Sequence, residues 1–190
     1  LHKHRFIIKD SVSGTPSIEG CVGLINLGNT CFMNSTIQCL SNTPQFRTFF
    51  TSVQYKEDIN KVNPSGMKGE LTSEFAKLLN DVWSNDYQKI APRSFKKALS
   101  KVTTQFTGWQ QHDAQEFLAF LLDGLHQDLN LVKSIPYREL IEPQGTDNVV
   151  ADLSWNMYLK SNKSMIVDLF QAQQRQQIIC SGCNRISTTF

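Results

Sequence analysis

No apolar run in these 190 residues approaches the roughly 20 consecutive residues that a membrane-spanning helix needs. Nor does the sequence open with anything that reads as a signal peptide. Neither sign of charge dominates. Lys and Arg number 19 against 17 Asp and Glu, a net charge of +2 that gives no reason to expect nucleic acid or a membrane surface as partner. Cysteine is scarce and odd in count, five in all, which suits a reducing compartment better than a disulfide scaffold. Histidine is scarcer still: His2, His4, His112 and His126. What remains, 40% hydrophobic and 19% charged, is the composition of a soluble globular protein able to build one ordinary core. A cytoplasmic or nuclear location is expected.

The informative stretch is 23–38, GLINLGNTCFMNSTIQ. Its first half, up to Thr30, is loop material. Gly opens backbone conformations closed to other residues, and Asn and Thr compete for nearby backbone hydrogen bonds. Beyond it Met33, Ile37 and Leu40 recur at helical spacing and predict a helix over 31–42. Cys31 thus falls where a polar loop becomes a helix. Unpaired N–H groups and the positive end of the helix dipole there favour a thiolate. Asn26, five residues upstream, carries an amide able to donate to the oxyanion formed when a thiolate attacks an amide carbonyl. Spacing alone leaves two readings open: nucleophile with oxyanion donor, or small buried cysteine with turn-forming asparagine.

Over its whole length this stretch resembles the cysteine box of the ubiquitin-specific proteases, papain-like cysteine peptidases that remove ubiquitin from proteins. The resemblance implies that Cys31 is the nucleophile and Asn26 the oxyanion-hole donor. It also implies an α+β fold, a mostly helical thumb followed by the start of a β fingers subdomain, and hence an incomplete catalytic domain. Three segments are then expected: an arm or linker over 1–20, the thumb over 21–160, and the beginning of the fingers over 161–190. The phrases NPSGMKGE at 63–70 and FLLDGLH at 120–126 are similar to the branch of the family with an insertion inside the catalytic domain.

Elsewhere the pattern predicts mostly helices. Phe6 to Ile8 suggests a short strand, followed by a Ser-, Gly-, Thr- and Pro-rich connection over 11–17. Pro44 opens a short helix with Phe46, Phe49 and Phe50 inward, and 55–66 reads as loop. Residues 70–83 form an amphipathic helix through Leu71, Phe75, Leu78, Leu79 and Val82. Pro92 starts another, with Phe95, Leu99 and Val102 inward. The strongest helix covers 113–131, with Phe117, Leu118, Phe120, Leu121, Leu125 and Leu129 as its apolar positions. A connection over 133–144 and a short helix over 152–158 follow. Residues 166–170, 175–179 and 185–190 read as strands.

The entry to the 113–131 helix, GWQQHDAQE at 108–116, reads as a capping arrangement, with Asp113 accepting from free N–H groups and Glu116 reaching back. It also resembles the second box of the same family. Matched residue by residue, Gln111, Asp113 and Glu116 fall on positions that contact the extended C-terminal tail of ubiquitin. For Asp113 the two roles are compatible; for Glu116 they stay open as alternatives.

Cys180 and Cys183 form a C-x-x-C pair at an expected hairpin tip. Such a pair presents two sulfurs to one metal, and structural Zn²⁺ takes four ligands. Redox pairing and plain turn chemistry are the other readings. The resemblance implies a zinc ribbon, so the expectation is no cofactor for catalysis and a structural zinc completed by a second cysteine pair beyond Phe190.

A papain-like enzyme also needs a His to hold the thiolate and protonate the leaving amine. In the family that His comes from a box far downstream. None of the four histidines sits in such a box. His126, one turn from Leu122 and Leu129, reads as a surface or core-edge residue, and His112 lies near the groove only by resemblance. These residues alone are therefore expected to have little hydrolase activity. The expected function is thiol hydrolysis of the (iso)peptide bond after the C-terminal Gly of ubiquitin, with ubiquitin and ubiquitinated proteins as partners. A non-catalytic ubiquitin-binding or scaffolding module is the alternative. The missing His favours it, and Cys31 and Asn26 together oppose it. A free-standing zinc-ribbon interaction protein would rest on Cys180 and Cys183 alone.

Overall fold

A computed structural model describes residues 11–15, 18, 20–106, 108–133 and 145–190. The strand expected over 6–8 and nearly all of the connection expected over 133–144 lie outside them. Two compact units result, one running to Leu129 and one starting at Asn130.

The first unit is helical. It comprises α1 (Cys31–Ser41), α2 (Pro44–Thr51), α3 (Gln54–Asp58), α4 (Glu70–Trp83), α5 (Arg93–Val102) and α6 (Ala114–Leu129). Helix α4 is the hub of the packing. Its apolar stripe of Leu71, Phe75, Leu78, Leu79 and Val82 is wholly buried. The ring of Phe75 meets Phe46 at 5.7 Å, Phe50 at 5.1 Å and Phe95 at 5.7 Å, drawing α2 and α5 onto α4. Tilted and edge-on aromatic pairs of this kind contribute about 0.5–1.5 kcal/mol each beyond area burial. A second cluster, Phe32 on α1 with Phe117 on α6 and Phe106 before it, joins α1 to α6 at centroid distances of 5.3 and 5.9 Å.

A small sheet, not anticipated from the sequence, anchors the loop before α1. Its strands are β1 (Val12–Ser13), β2 (Gly23–Leu24) and β3 (Tyr87–Ile90), in the order β1-β3-β2. Strand β3 pairs antiparallel with β1 and parallel with β2, Gly23 opposite Lys89 and Leu24 opposite Ile90. Two-residue strands show no alternation, so the period-2 signal had nothing to act on.

One buried carboxylate organises the start of α4. Asp128, on α6, is 0% exposed. Its Oδ1 accepts from Met67 N at 2.6 Å and Gly69 N at 3.1 Å, and its Oδ2 accepts from Thr72 N at 3.2 Å. A helix N-terminus offers unpaired N–H groups and a positive dipole end, and here a side chain from another helix satisfies both. Gly69, the residue before α4, holds φ +86°, and a Cβ there would lie 2.5 Å from Ile59. The segment between α3 and α4 is tied to the same place, with Asn60 N donating to Asp128 O at 2.8 Å and Asn63 Nδ2 to Gln127 O at 2.8 Å.

Several sequence expectations need correction. Residues 55–58, read as loop, belong to helix α3, because Tyr55 is buried against Phe50. Leu118 and Phe120 are only half-buried, and Val102 likewise. His126 is 2% exposed, inside the core rather than at its edge.

The second unit contains α7 (Asp147–Leu159), α8 (Met165–Phe170) and the antiparallel hairpin β4 (Gln176–Ile179) and β5 (Ile186–Thr189), with Ile179 opposite Ile186. Residues 166–170, read as a strand, are helical. A short β-branched run does not distinguish a buried strand from a buried helix. The deciding signal is Ser164, whose hydroxyl caps α8 by accepting from Val167 N at 3.3 Å. Helix α7 is longer than the 152–158 expected.

Replacing Asp128 with Ala removes three hydrogen bonds to the start of α4 and leaves their N–H groups without an acceptor. A loss on the order of 2–4 kcal/mol follows. In urea unfolding the midpoint should fall with the slope unchanged, and an unaltered midpoint would count against this account of α4.

Candidate active site

The loop from Gly23 to Thr30 is held at its base before it reaches Cys31. Ile25 N donates to Ile90 O at 2.8 Å, continuing the β2–β3 pairing. From α1, Asn34 Nδ2 donates to Leu24 O at 3.1 Å and Gln38 Nε2 to Val22 O at 2.8 Å. Polar side chains on one face of α1 therefore fix the strand that feeds it, while Phe32, Met33, Ile37 and Leu40 bury the other face.

Within the loop, Asn26 is the organiser. Its Oδ1 accepts from Gly28 N at 2.8 Å, from Thr30 N at 3.1 Å and from Thr30 Oγ1 at 3.3 Å. Two of these partners are backbone N–H groups, so the oxygen end of the amide must face them. The NH₂ end then points the other way, on an exposed residue. Thr30, 2% exposed, braces the same turn, its Oγ1 accepting from Leu27 N at 2.9 Å. Gly28 at φ +99° and Asn29 at φ 52° turn the chain through left-handed conformations that Gly and Asn tolerate best.

Cys31 is the first residue of α1, its thiol is exposed, and the first turn of the helix carries no acidic side chain. The adjacent Phe32 is 5% exposed, so a fixed anchor neighbours the accessible sulfur. An accessible thiol thus opens a helix, five residues from an amide whose donor end is turned outward.

The second predicted segment comes to the same place. Asn29 Nδ2 donates to Trp109 O at 2.6 Å, and Thr36 Oγ1 to Ala114 O at 3.3 Å. The His112 ring stands edge-on to Phe32 at 5.1 Å and to Phe106 at 5.0 Å. Gln111, Asp113 and Glu116 are all exposed around the start of α6. Asp113 caps that helix, its Oδ1 accepting from Gln115 N at 2.7 Å and Glu116 N at 3.0 Å. The carboxylate of Glu116 accepts from Gln105 Nε2 at 2.8 Å, in place of the reach-back expected of a capping box. Beside this segment, burial holds the Lys96 ammonium below the ordinary lysine range, and its Nζ lies 5.7 Å from the Trp109 ring. Sequence reasoning missed Trp109; the only hint is an aromatic residue in an otherwise polar helix entry.

Cys180 and Cys183 belong to the second unit, in the turn between β4 and β5. Asn184, at φ 54°, closes that turn by donating to Cys180 O at 2.8 Å, and Cys180 N donates to Arg185 O at 2.9 Å. Backbone N–H groups of Gly182 and Cys183, and then the Cys183 side chain, lower the pKa of the Cys180 thiol. Among the described residues no group of three or more His, Cys, Asp and Glu gathers to hold a metal.

Replacing Thr30 with Val would strand the Leu27 N–H in a buried position, at about 1–3 kcal/mol. Amide hydrogen exchange at Leu27 should accelerate roughly in proportion, about tenfold per 1.4 kcal/mol, and Thr30→Ser should restore protection. Equal exchange in all three proteins would remove Thr30 from the loop's support.

Comparison with known proteins adds the family. Residues 22–190 match the family model described as ubiquitin carboxyl-terminal hydrolase. Ubiquitin carboxyl-terminal hydrolase 15 of Homo sapiens is 48% identical over 172 residues, covering 90% of this chain and 18% of that protein. Ubiquitin carboxyl-terminal hydrolase 9 of Arabidopsis thaliana is 48% identical over 181 residues, covering 95% of this chain and 20% of that protein. The chain thus spans about a fifth of the length of the curated relatives it matches. Among solved structures, the SAGA DUB module Ubp8/Sgf11/Sus1/Sgf73 bound to monoubiquitin has a similar fold, with a TM-score of 0.61 at 23% identity. That match covers 97% of this chain and 36% of the other.

Proposed function

From the premise that this chain belongs to the ubiquitin carboxyl-terminal hydrolase family, we propose that it carries the nucleophilic half of a deubiquitinating thiol peptidase. The observation that carries the reading is the junction at residues 26–31. An exposed Cys31 thiol opens a helix, and the Asn26 amide is locked with its oxygen inward and its donor end outward.

In this reading the C-terminal tail of ubiquitin lies between the loop before Cys31 and the segment bearing Gln111, Asp113 and Glu116. Capping leaves Asp113 exposed and negatively charged, which suits it to accept from a substrate backbone or arginine. The Cys31 thiolate attacks the carbonyl of the last Gly. The carbonyl π electrons move onto oxygen, and the amide of Asn26 donates to that oxyanion. Collapse expels the amine, which takes a proton from a His, and water then hydrolyses the thioester.

That His lies outside these residues. His126 is buried and His112 is wedged against Phe32 and Phe106. His2 and His4 lie outside the described residues. The nucleophile and its proton carrier would thus come from different parts of a longer protein.

A ubiquitin derivative with a C-terminal electrophile tests the reading. The protein extended downstream to include a His box should be labelled, and Cys31→Ala should abolish labelling. Asn26→Ala should slow hydrolysis of a ubiquitin amide roughly 100-fold or more. Strong labelling of the 190-residue chain alone would contradict the missing-base account.

For the cysteine turn we propose half of a structural zinc site. N–H groups aimed at the Cys180 sulfur favour its thiolate, the form that binds Zn²⁺. The remaining ligands would come from downstream. One zinc per extended protein is expected, lost in Cys180→Ala and Cys183→Ala. Unchanged metal content in those variants would reject it.

A further inference from the structure

Trp109 does nothing that a core residue does. It is 57% exposed, yet its ring lies directly against Gly28. A Cβ built on Gly28 would come within 2.2 Å of two ring carbons, so the ring occupies the space that only glycine leaves open. The next residue is tied to the same tryptophan, Asn29 Nδ2 donating to Trp109 O at 2.6 Å. Gly28 N is itself one of the two backbone donors to Asn26 Oδ1, and Asn29 stands between it and the other, Thr30 N. The turn at 28–29 is therefore clamped on both sides, by the Asn26 oxygen from within and by Trp109 from without. On the far side Lys96 Nζ donates to Gly108 O at 3.4 Å and faces the Trp109 ring, which ties the tryptophan segment to α5.

We infer that Trp109 and Asn29 are positioning residues of the reaction, a latch that holds the cysteine loop so that the Asn26 amide presents its donor end to the oxyanion. This rests on the reading of Asn26 as oxyanion donor. Without the ring, Gly28 loses what holds it in its left-handed conformation, and a glycine has many alternatives to relax into, while Asn29 keeps only its bond to the carbonyl of residue 109. The N–H groups of Gly28 and Thr30 then leave the Asn26 oxygen, and the amide is free to rotate. Cys31 is affected less, because the buried Phe32 beside it fixes the start of α1 independently.

The reaction itself separates a latch from a substrate contact or a fold defect. An oxyanion develops in attack on an amide carbonyl and not in alkylation of a thiol by iodoacetamide. In the downstream-extended protein, Trp109→Ala should lower kcat on a ubiquitin amide about 10- to 100-fold, less than the roughly 100- to 1000-fold expected when an oxyanion donor is removed outright. KM and the iodoacetamide rate of Cys31 should change less than about twofold, on the same distinction between transition-state and ground-state interactions. Trp109→Phe, which keeps a ring over Gly28 and the carbonyl to Asn29, should restore most of the rate. Asn29→Ala, which keeps the ring but removes the tie, should fall between.

The decisive arm is the Asn26→Ala background. There Trp109→Ala should have no further effect, because the group it positions is gone. An equal loss in both backgrounds, or a loss confined to KM, overturns the latch while leaving the peptidase reading intact. Full activity of Asn26→Ala alone would sink the oxyanion assignment, and the latch with it.

Discussion

The orientation of one side-chain amide governs the rest of the site. A carboxamide has one accepting and one donating end in a single plane, so fixing the first fixes the second. In Asn26 the accepting end is fixed three times over, by Gly28 N, Thr30 N and Thr30 Oγ1. Aspartate could accept the same bonds but would have nothing left to donate, and serine could not span them. The loop's structure therefore asks for an acceptor of this reach, and the free donating end is what sets asparagine apart from aspartate. That requirement also dictates its surroundings. The N–H groups converge on the oxygen only while residues 28 and 29 keep positive φ, which the sequence meets with Gly and Asn.

Around this loop the structure alternates anchors and accessible groups. Val22, Leu27, Thr30 and Phe32 are buried, while Asn26, Asn29 and Cys31 are exposed. Each accessible residue thus sits next to one the core holds in place. The same core, through Phe32, Phe106 and Phe117, brings the start of α6 to the start of α1. Two segments 80 residues apart, joined by the bond from Asn29 to Trp109, become one site because aromatic packing beneath them leaves little freedom above.

Most of the helical frame was legible because its signal is periodic. Helix α4 begins and ends where the stripe from Leu71 to Val82 predicts, and α2 starts at its proline. Asn26 and Cys31 stood out for another reason, a long matched run whose spacing alone left two readings open. What escaped was written in single residues. Asp128 reads as one more polar position on α6, and nothing local says that its partners lie at the start of α4. The 166–170 helix turns on the hydroxyl of Ser164, a one-residue cue outweighed by a β-branched run. Strand β3 does not alternate buried and exposed residues over Tyr87–Ile90, and it forms because β1 and β2 pair with it. Long-range polar pairing leaves no period in a sequence.

The polar residues of the first unit sort by how they are satisfied. Asp128 and Thr30 are buried, and so are the bonds they accept from Gly69, Thr72 and Leu27, so their loss is a loss of stability. Asp113 and Asn26 are exposed, and the backbone they organise engages a single oxygen of each. A capping carboxylate outside the core gains little from desolvation, so the stability it contributes is modest, about 1 kcal/mol. Its negative charge stays available to a partner. Structural and functional roles at Asp113 are therefore not competitors. The hydrogen bonds that hold the carboxylate to the helix also orient it, as those to the Asn26 oxygen orient the amide. In both cases support comes from backbone N–H groups that cannot be withdrawn without unfolding the turn.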